Sequence, residues 1–127
     1  MSCMVLVATV FCTSQMWAEP TACALSLMPS LAIAPGVAAF PRLVAAPGDQ
    51  AANRINQALV RVDERIRKAA KDCSTEGGQA GWKRTISVTM RGPHFLSLVA
   101  FDSWFCGGAH PDDDQFPLVY DLTPARR

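Results

Sequence analysis

The chain has 127 residues, of which 50% are hydrophobic and 18% are charged, and its formal net charge is +1. A chain of this length predicts one small domain, which would bury roughly two-thirds of the surface that its unfolded form exposes. Because nucleic-acid-binding domains usually carry a clustered basic face, the near-zero net charge argues against nucleic acid as a partner.

The N-terminal region predicts export. Residues 1–18 carry no charge, and the apolar run MVLVATVF at positions 4–11 is followed by polar residues and Met16-Trp17-Ala18. This order is typical of the apolar and cleavage regions of a secretory signal peptide, and the run is too short to span a membrane. The usual basic opening is missing, since no Lys or Arg precedes Arg42. We expect a signal peptide over residues 1–18, with an apolar N-terminal strand as the alternative, and one exported domain over residues 19–127.

Residues 19–47 are rich in alanine and proline. Prolines recur every six to nine residues, at positions 20, 29, 35, 41 and 47. That density excludes a helix and restricts strands to short or edge pieces. We expect such short strands at residues 24–28 and 37–43.

Residues 49–73, DQAANRINQALVRVDERIRKAAKDC, carry the strongest local pattern in the chain. Apolar residues recur at steps of three and four, which predicts an amphipathic helix. Asp49 follows Pro47-Gly48 and suits the N-cap, and Gly77-Gly78 would stop the chain soon after Cys73. The acidic residues Asp63, Glu64 and Asp72 interrupt the basic ones, so we interpret the charged side as a solvated outer face. The predicted buried stripe is Ile55, Leu59, Val62, Ile66 and Ala69 or Ala70.

After the glycines the apolar period changes from 3.6 to 2, which predicts β-strands. In residues 83–91 Ile86, Val88 and Met90 alternate with hydroxyl-bearing residues, and Gly92-Pro93 predicts a turn. Residues 95–105 are apolar enough for a central strand, and residues 116–122 predict a third. The predicted fold class is therefore α+β, with one long amphipathic helix packed on a small antiparallel β-sheet. The loop FCGGAHPDDDQ would connect the last two strands.

Five cysteines are present, and removal of a signal peptide would leave Cys23, Cys73 and Cys106. One disulfide would stabilise an exported domain of this size. Our preferred pair is Cys73 with Cys106, because one ends the helix and the other opens the loop after a strand. Cys23 is an alternative partner, and free buried thiols are a third possibility.

The loop permits three chemical interpretations. His110 with Asp112-Asp114 offers metal ligands, although adjacent aspartates diverge unless the backbone coils around an ion. Cys106 with His110 offers a nucleophile and a base, but oxidation would remove the thiol. The third is a rigid turn, since Gly107-Gly108 permits positive φ and Pro111 fixes the exit direction. A rigid loop at a sheet end is a natural recognition site.

Several short motifs occur in an order that resembles the RsiV/PdaC-like family of bacterial extracytoplasmic domains. They are FPRL at 40–43, RIN at 54–56, FLSL at 95–98, GGAHP at 107–111 and YDLT at 120–123. The resemblance covers roughly residues 23–127, and GGAHP is its most specific element. Such domains occur at the N-terminal end of a peptidoglycan deacetylase and in the outer part of a lysozyme-sensing anti-sigma factor. The resemblance implies an α+β fold outside the cytoplasmic membrane.

The resemblance also implies binding rather than catalysis, with no cofactor. We expect a periplasmic or secreted domain that binds a cell-wall glycan or a lysozyme-like protein. Trp104, Phe105 and Phe116 flank the loop and offer aromatic rings, although by alternation half of them should lie in the core. An envelope hydrolase or metalloenzyme using His110 with Asp112-Asp114 is the alternative. Family members usually continue with a helix and further strands where this chain has TPARR. A second alternative is therefore that the chain is a structural fragment of a larger protein. The predicted binding residues are Gly107, Gly108, Ala109, His110, Pro111 and Asp112.

Overall fold

The protein has an α+β architecture, as predicted, with one helix and two antiparallel sheets. The computed structural model describes residues 25–74 and 81–123. The predicted signal peptide, Cys23, the Gly77-Gly78 stop and the last four residues therefore lie outside the described residues. The elements in chain order are β1 (Leu27–Met28), β2 (Arg42–Leu43), α1 (Gln50–Ser74), β3 (Gly81–Arg91), β4 (Phe95–Phe105) and β5 (Asp112–Asp121).

The helix begins where the sequence predicts it. The side-chain Oδ1 of Asp49 accepts a hydrogen bond from the amide of Ala52 at 3.1 Å, so Asp49 is the N-cap. The amide of Asn53 donates to the Asp49 carbonyl, also at 3.1 Å. The apolar stripe of α1 packs into a core that the sheet and the segment before the helix complete. The fully buried members of this core are Phe40, Leu43, Ala52, Ile55, Leu59, Leu96, Leu98 and Ala100.

Strand β4 lies in the middle of the larger sheet, with β3 and β5 on either side. Its alternate residues, from Leu96 to Asp102, are buried on the face towards the helix. The expectation that Ile86, Val88 and Met90 lie on one face of β3 is wrong. A bulge between Val88 and Met90 shifts the register, so Met90 pairs with Ser97 on the outer face and does not share a face with Val88.

Strand β5 begins four residues earlier than predicted. Its pairing with β4 runs from Phe95↔Asp121 to Trp104↔Asp112, so the three aspartates belong to the strand and not to the loop. Aspartate has a low strand propensity, but pairing with the long central strand β4 outweighs that propensity here. The connecting loop is therefore confined to residues 106–111.

Polar side chains of α1 bind the segment that precedes it. Asn56 accepts a hydrogen bond from the amide of Leu43 at 2.8 Å and donates to the Leu43 carbonyl at 2.9 Å. Farther back in the chain, Val37 forms a parallel bridge with Arg84 of β3. The short motifs at 40–43 and 54–56 thus meet in the fold, and the segment joins the helix to the edge of the sheet.

Candidate functional site

The loop between β4 and β5 is tied to the end of the helix. Cys73 and Cys106 form a disulfide, which confirms the preferred pairing. Cys73 is buried near the last turn of α1, and Cys106 directly follows β4. Because the Cys106 sulfur is bonded to another sulfur, it has no thiolate to act as a nucleophile. The interpretation of Cys106 and His110 as a catalytic pair is therefore wrong.

The loop uses its glycines as predicted. Gly107 has φ of 86° and Gly108 has φ of 131°, in the region that residues with a side chain rarely adopt. No heavy atom lies within 4 Å of a Cβ built on Gly108, so backbone conformation and not space requires glycine there. His110 is exposed, and its Nδ1 lies 3.2 Å from the carbonyl oxygen of Pro111. The disulfide and the positive-φ glycines together define the path of the loop.

The structure does not bring the proposed metal ligands together. His110 Nδ1 lies 3.6 Å from Asp112 Oδ1, and both side chains are exposed. Because Asp112, Asp113 and Asp114 are consecutive in a strand, Asp113 points to the opposite face from its neighbours. Within residues 25–74 and 81–123, no group of three or more His, Cys, Asp or Glu side chains is placed to hold a metal ion.

An open groove of about 440 Å³ lies beside the loop, at the end of the sheet. Trp82 and Trp104 are among its lining residues, and their indole rings stack on the helix-facing side of the sheet, with centroids 4.8 Å apart and planes 14° from parallel. Of the predicted binding residues, Pro111 is the one that lines this groove; Asp112, placed in the loop by the prediction, lies in β5. The groove is lined by Pro35, Gly36, Gly81, Trp82, Lys83, Ser103, Trp104, Phe105 and Pro111.

The expectation about aromatic rings near the loop holds in part. Trp104 and Phe105 both line the groove, but as neighbours in a strand they point to opposite faces, Trp104 towards the helix and Phe105 outward. Phe116 is 41% exposed, but it pairs with Ala100 on the helix-facing side of the sheet and does not line the groove. Trp82 was not singled out from the sequence, although its place opposite Trp104 follows from antiparallel pairing of β3 with β4.

A cluster of buried charges lies beneath the tryptophan pair. Asp63, Arg84 and Asp102 are 3%, 2% and 7% exposed. The indole Nε1 of Trp82 donates to Asp102 Oδ1 at 2.8 Å, and the same oxygen lies 3.3 Å from Arg84 Nε. The guanidinium of Arg84 also lies over the Phe40 ring, with Cζ 4.6 Å from its centroid. The cluster therefore holds the indole ring of Trp82 on the helix-facing side of the sheet.

Asp63 connects this cluster to the segment before the helix. Its carboxylate accepts hydrogen bonds from Arg42 Nη2 at 2.5 Å and from the Phe40 amide at 3.2 Å, and it faces Arg84 Nη1 at 3.8 Å. Burial lowers the pKa of Arg84, and the charges of Asp102 and Asp63 oppose that shift. The expectation that Asp63 belongs to the solvated outer face is wrong. Its position four residues after buried Leu59 is the signal that would have placed it inward.

Comparison with models of known protein families gives no match to this chain. Comparison with curated proteins gives no match either. The resemblance to the RsiV/PdaC-like family thus rests on the short motifs described above and stays a hypothesis. In the described ranges, no helix is long and apolar enough to cross a membrane.

Proposed function

We propose that this chain is an exported, non-enzymatic domain that binds a cell-envelope glycan in the groove beside the GGAHP loop. The observation that carries the proposal is the groove lining, in which the Phe105 ring lies next to Pro111 and on the same face of the sheet as the polar side chains of Lys83 and Ser103. Sugar rings present apolar C–H faces as well as hydroxyl groups. Concave sites that combine aromatic rings with a few polar groups recognise such ligands.

The loop and a side chain next to the groove are fixed by covalent and hydrogen bonds that need no ligand. The disulfide anchors one end of the loop, and Trp82 is fixed by its hydrogen bond to Asp102. Preorganisation of this kind favours binding because little side-chain or loop freedom is lost when the ligand enters. The disulfide also supports export, since structural disulfides form in oxidising compartments.

The resemblance to the RsiV/PdaC-like family supports an envelope location and names two kinds of ligand, a glycan and a lysozyme-like protein. We argue for the glycan because the site is a groove lined by rings and polar side chains. A lysozyme-like protein is the competing outcome of the experiment. A hydrolase based on His110 and the aspartates gains no support, since these side chains are exposed and Asp113 points away from Asp112 and Asp114.

The experiment measures retention of the disulfide-intact protein on insoluble peptidoglycan and, separately, on immobilised lysozyme. We expect retention on peptidoglycan. Phe105→Ala should weaken it by about twofold to tenfold, the effect of losing one aromatic contact. His110→Ala tests the loop directly, and Arg61→Ala, an exposed helix residue outside the groove, is the control.

Circular dichroism melting establishes that each variant is folded before its binding is compared. Retention on lysozyme but not on peptidoglycan would replace the glycan by a protein ligand. If neither matrix retains the protein, the proposed function is wrong.

A further inference from the structure

We infer that the glycan site continues from the end groove onto the outer face of the β3–β4–β5 sheet, so that the ligand is an extended neutral polysaccharide and not a monosaccharide or a chain end. The inference rests on the proposed function, because it concerns the same ligand class and extends the same groove. It is carried by a second groove and by the residues that the two grooves share.

The second groove, of about 630 Å³, crosses all three strands of the sheet. Phe101 lies in its middle and is 47% exposed, although it belongs to the central strand. Thr85 of β3 and Gln115 of β5 pair with Phe101 from either side. Directly opposite residues of an antiparallel ladder share a face, with Cβ atoms about 4.5–5.5 Å apart. An exposed ring is thus flanked by a hydroxyl and an amide on one surface.

The next row of the ladder repeats this arrangement with charges. Ser103 pairs with Lys83 on β3 and with Asp113 on β5. All three side chains lie on the outer face, because they are two positions from the Phe101 row along each strand. One ammonium and one carboxylate leave this row without net charge. Such a surface suits a neutral, hydroxyl-rich ligand better than a polyanion, which would be repelled by Asp113.

The two grooves share part of their lining. Lys83 and Ser103 line both of them. Phe101 in the outer groove and Phe105 in the end groove are on the same face of β4, four residues apart, which corresponds to about 13 Å along a strand. A single sugar ring is too small to contact both phenylalanines. A chain of linked sugars can place one ring on each of them, with its polar groups on the row of Ser103 between.

The test compares a disaccharide with a hexasaccharide of beta-linked N-acetylglucosamine, each titrated into the full disulfide-bonded protein by calorimetry. The hexasaccharide should bind more tightly by roughly tenfold. Phe101→Ala should weaken the affinity for the hexasaccharide by about threefold to tenfold and leave the affinity for the disaccharide unchanged. Phe105→Ala should weaken both ligands. Phe95→Ala is the matched control, since Phe95 is a 44% exposed phenylalanine on the same face of β4 and lines neither groove.

The outcomes separate the two proposals. Equal affinity for the short and long ligands, or a Phe101→Ala variant that keeps the full preference for the hexasaccharide, would overturn the extended site and leave the end groove in place. Equal losses for Phe95→Ala and Phe101→Ala would also overturn it, because the effect would then not follow the groove. If the unmodified protein binds neither saccharide and is not retained on peptidoglycan, the proposed function and the extension both fail.

Discussion

Replacement of Asp63 by alanine should be among the most damaging single changes to this fold. The side chain is 3% exposed. Its carboxylate accepts hydrogen bonds from the Phe40 amide and the Arg42 guanidinium, and it also forms an ion pair with Arg84. Without it, Arg84 keeps Asp102 as its remaining carboxylate, at 3.3 Å. Removing one partner of a buried ion pair costs about 3–5 kcal/mol, and leaving a buried amide without an acceptor costs about 1–3 kcal/mol.

These two costs overlap because the same carboxylate causes both, so we expect a total loss of about 3–5 kcal/mol. A domain of this size has a free energy of unfolding of about 5–15 kcal/mol, and the variant should therefore be close to unfolding. Asp63→Asn retains an oxygen for the Phe40 amide but loses the charge, and we expect a smaller loss than for alanine.

Urea denaturation followed by circular dichroism measures these changes, with the disulfide kept intact. Glu64→Ala is the matched control, because Glu64 is the neighbouring acid on α1 and its ion pair with Arg67 is exposed. Exposed helix pairs contribute about 0.3–0.5 kcal/mol. The reasoning is refuted if Asp63→Ala and Glu64→Ala shift the midpoint of unfolding equally.

Three further changes have defined outcomes in the same assay. The double variant Cys73→Ser, Cys106→Ser opens a crosslink between residues 33 apart in sequence and should lose about 3–4 kcal/mol, and an unchanged midpoint would contradict this. Asp49→Ala removes the N-cap and should lose about 1 kcal/mol, whereas Asp49→Ser should lose much less; equal losses would argue against capping. Burial raises the pKa of Tyr120 above its ordinary value of 10.0, so its contribution to stability is present below the unfolded pKa and is lost as the pH rises through the folded one. Tyr120→Phe should therefore flatten the alkaline decline in the unfolding midpoint, and an identical decline in both proteins would show that another group causes it.

The helix and the sheet were predictable because their signals are local. The apolar residues of α1 recur at helical spacing, and Asp49 precedes them at the cap position. The alternation of β4 and its run of apolar residues correctly indicated a central strand. Each of these features depends on periodicity within one element, which a single sequence displays directly.

The parts that the sequence analysis missed depend on contacts between elements. A charged residue such as Asp63 is normally exposed, and only the arrival of Arg42, Arg84 and the Phe40 amide from distant segments makes its burial favourable. The bulge before Met90 likewise depends on the pairing of two strands. The groove combines Trp82, Trp104 and Pro111 from three places in the chain, and for that reason the loop and Trp104 were predicted while Trp82 was not.

The early start of β5 has a consequence for behaviour at high concentration. Among residues 25–74 and 81–123, no strand pairs with the second side of β5, so it is an edge of the sheet that another chain could extend. Three aspartates open this strand, and Pro117 in its middle lacks an amide hydrogen to donate. Charge repulsion and a missing donor are the usual means by which edge strands resist joining to one another. We therefore expect the acidic run to oppose aggregation through this edge, where exposed sheet residues such as Val119 lie.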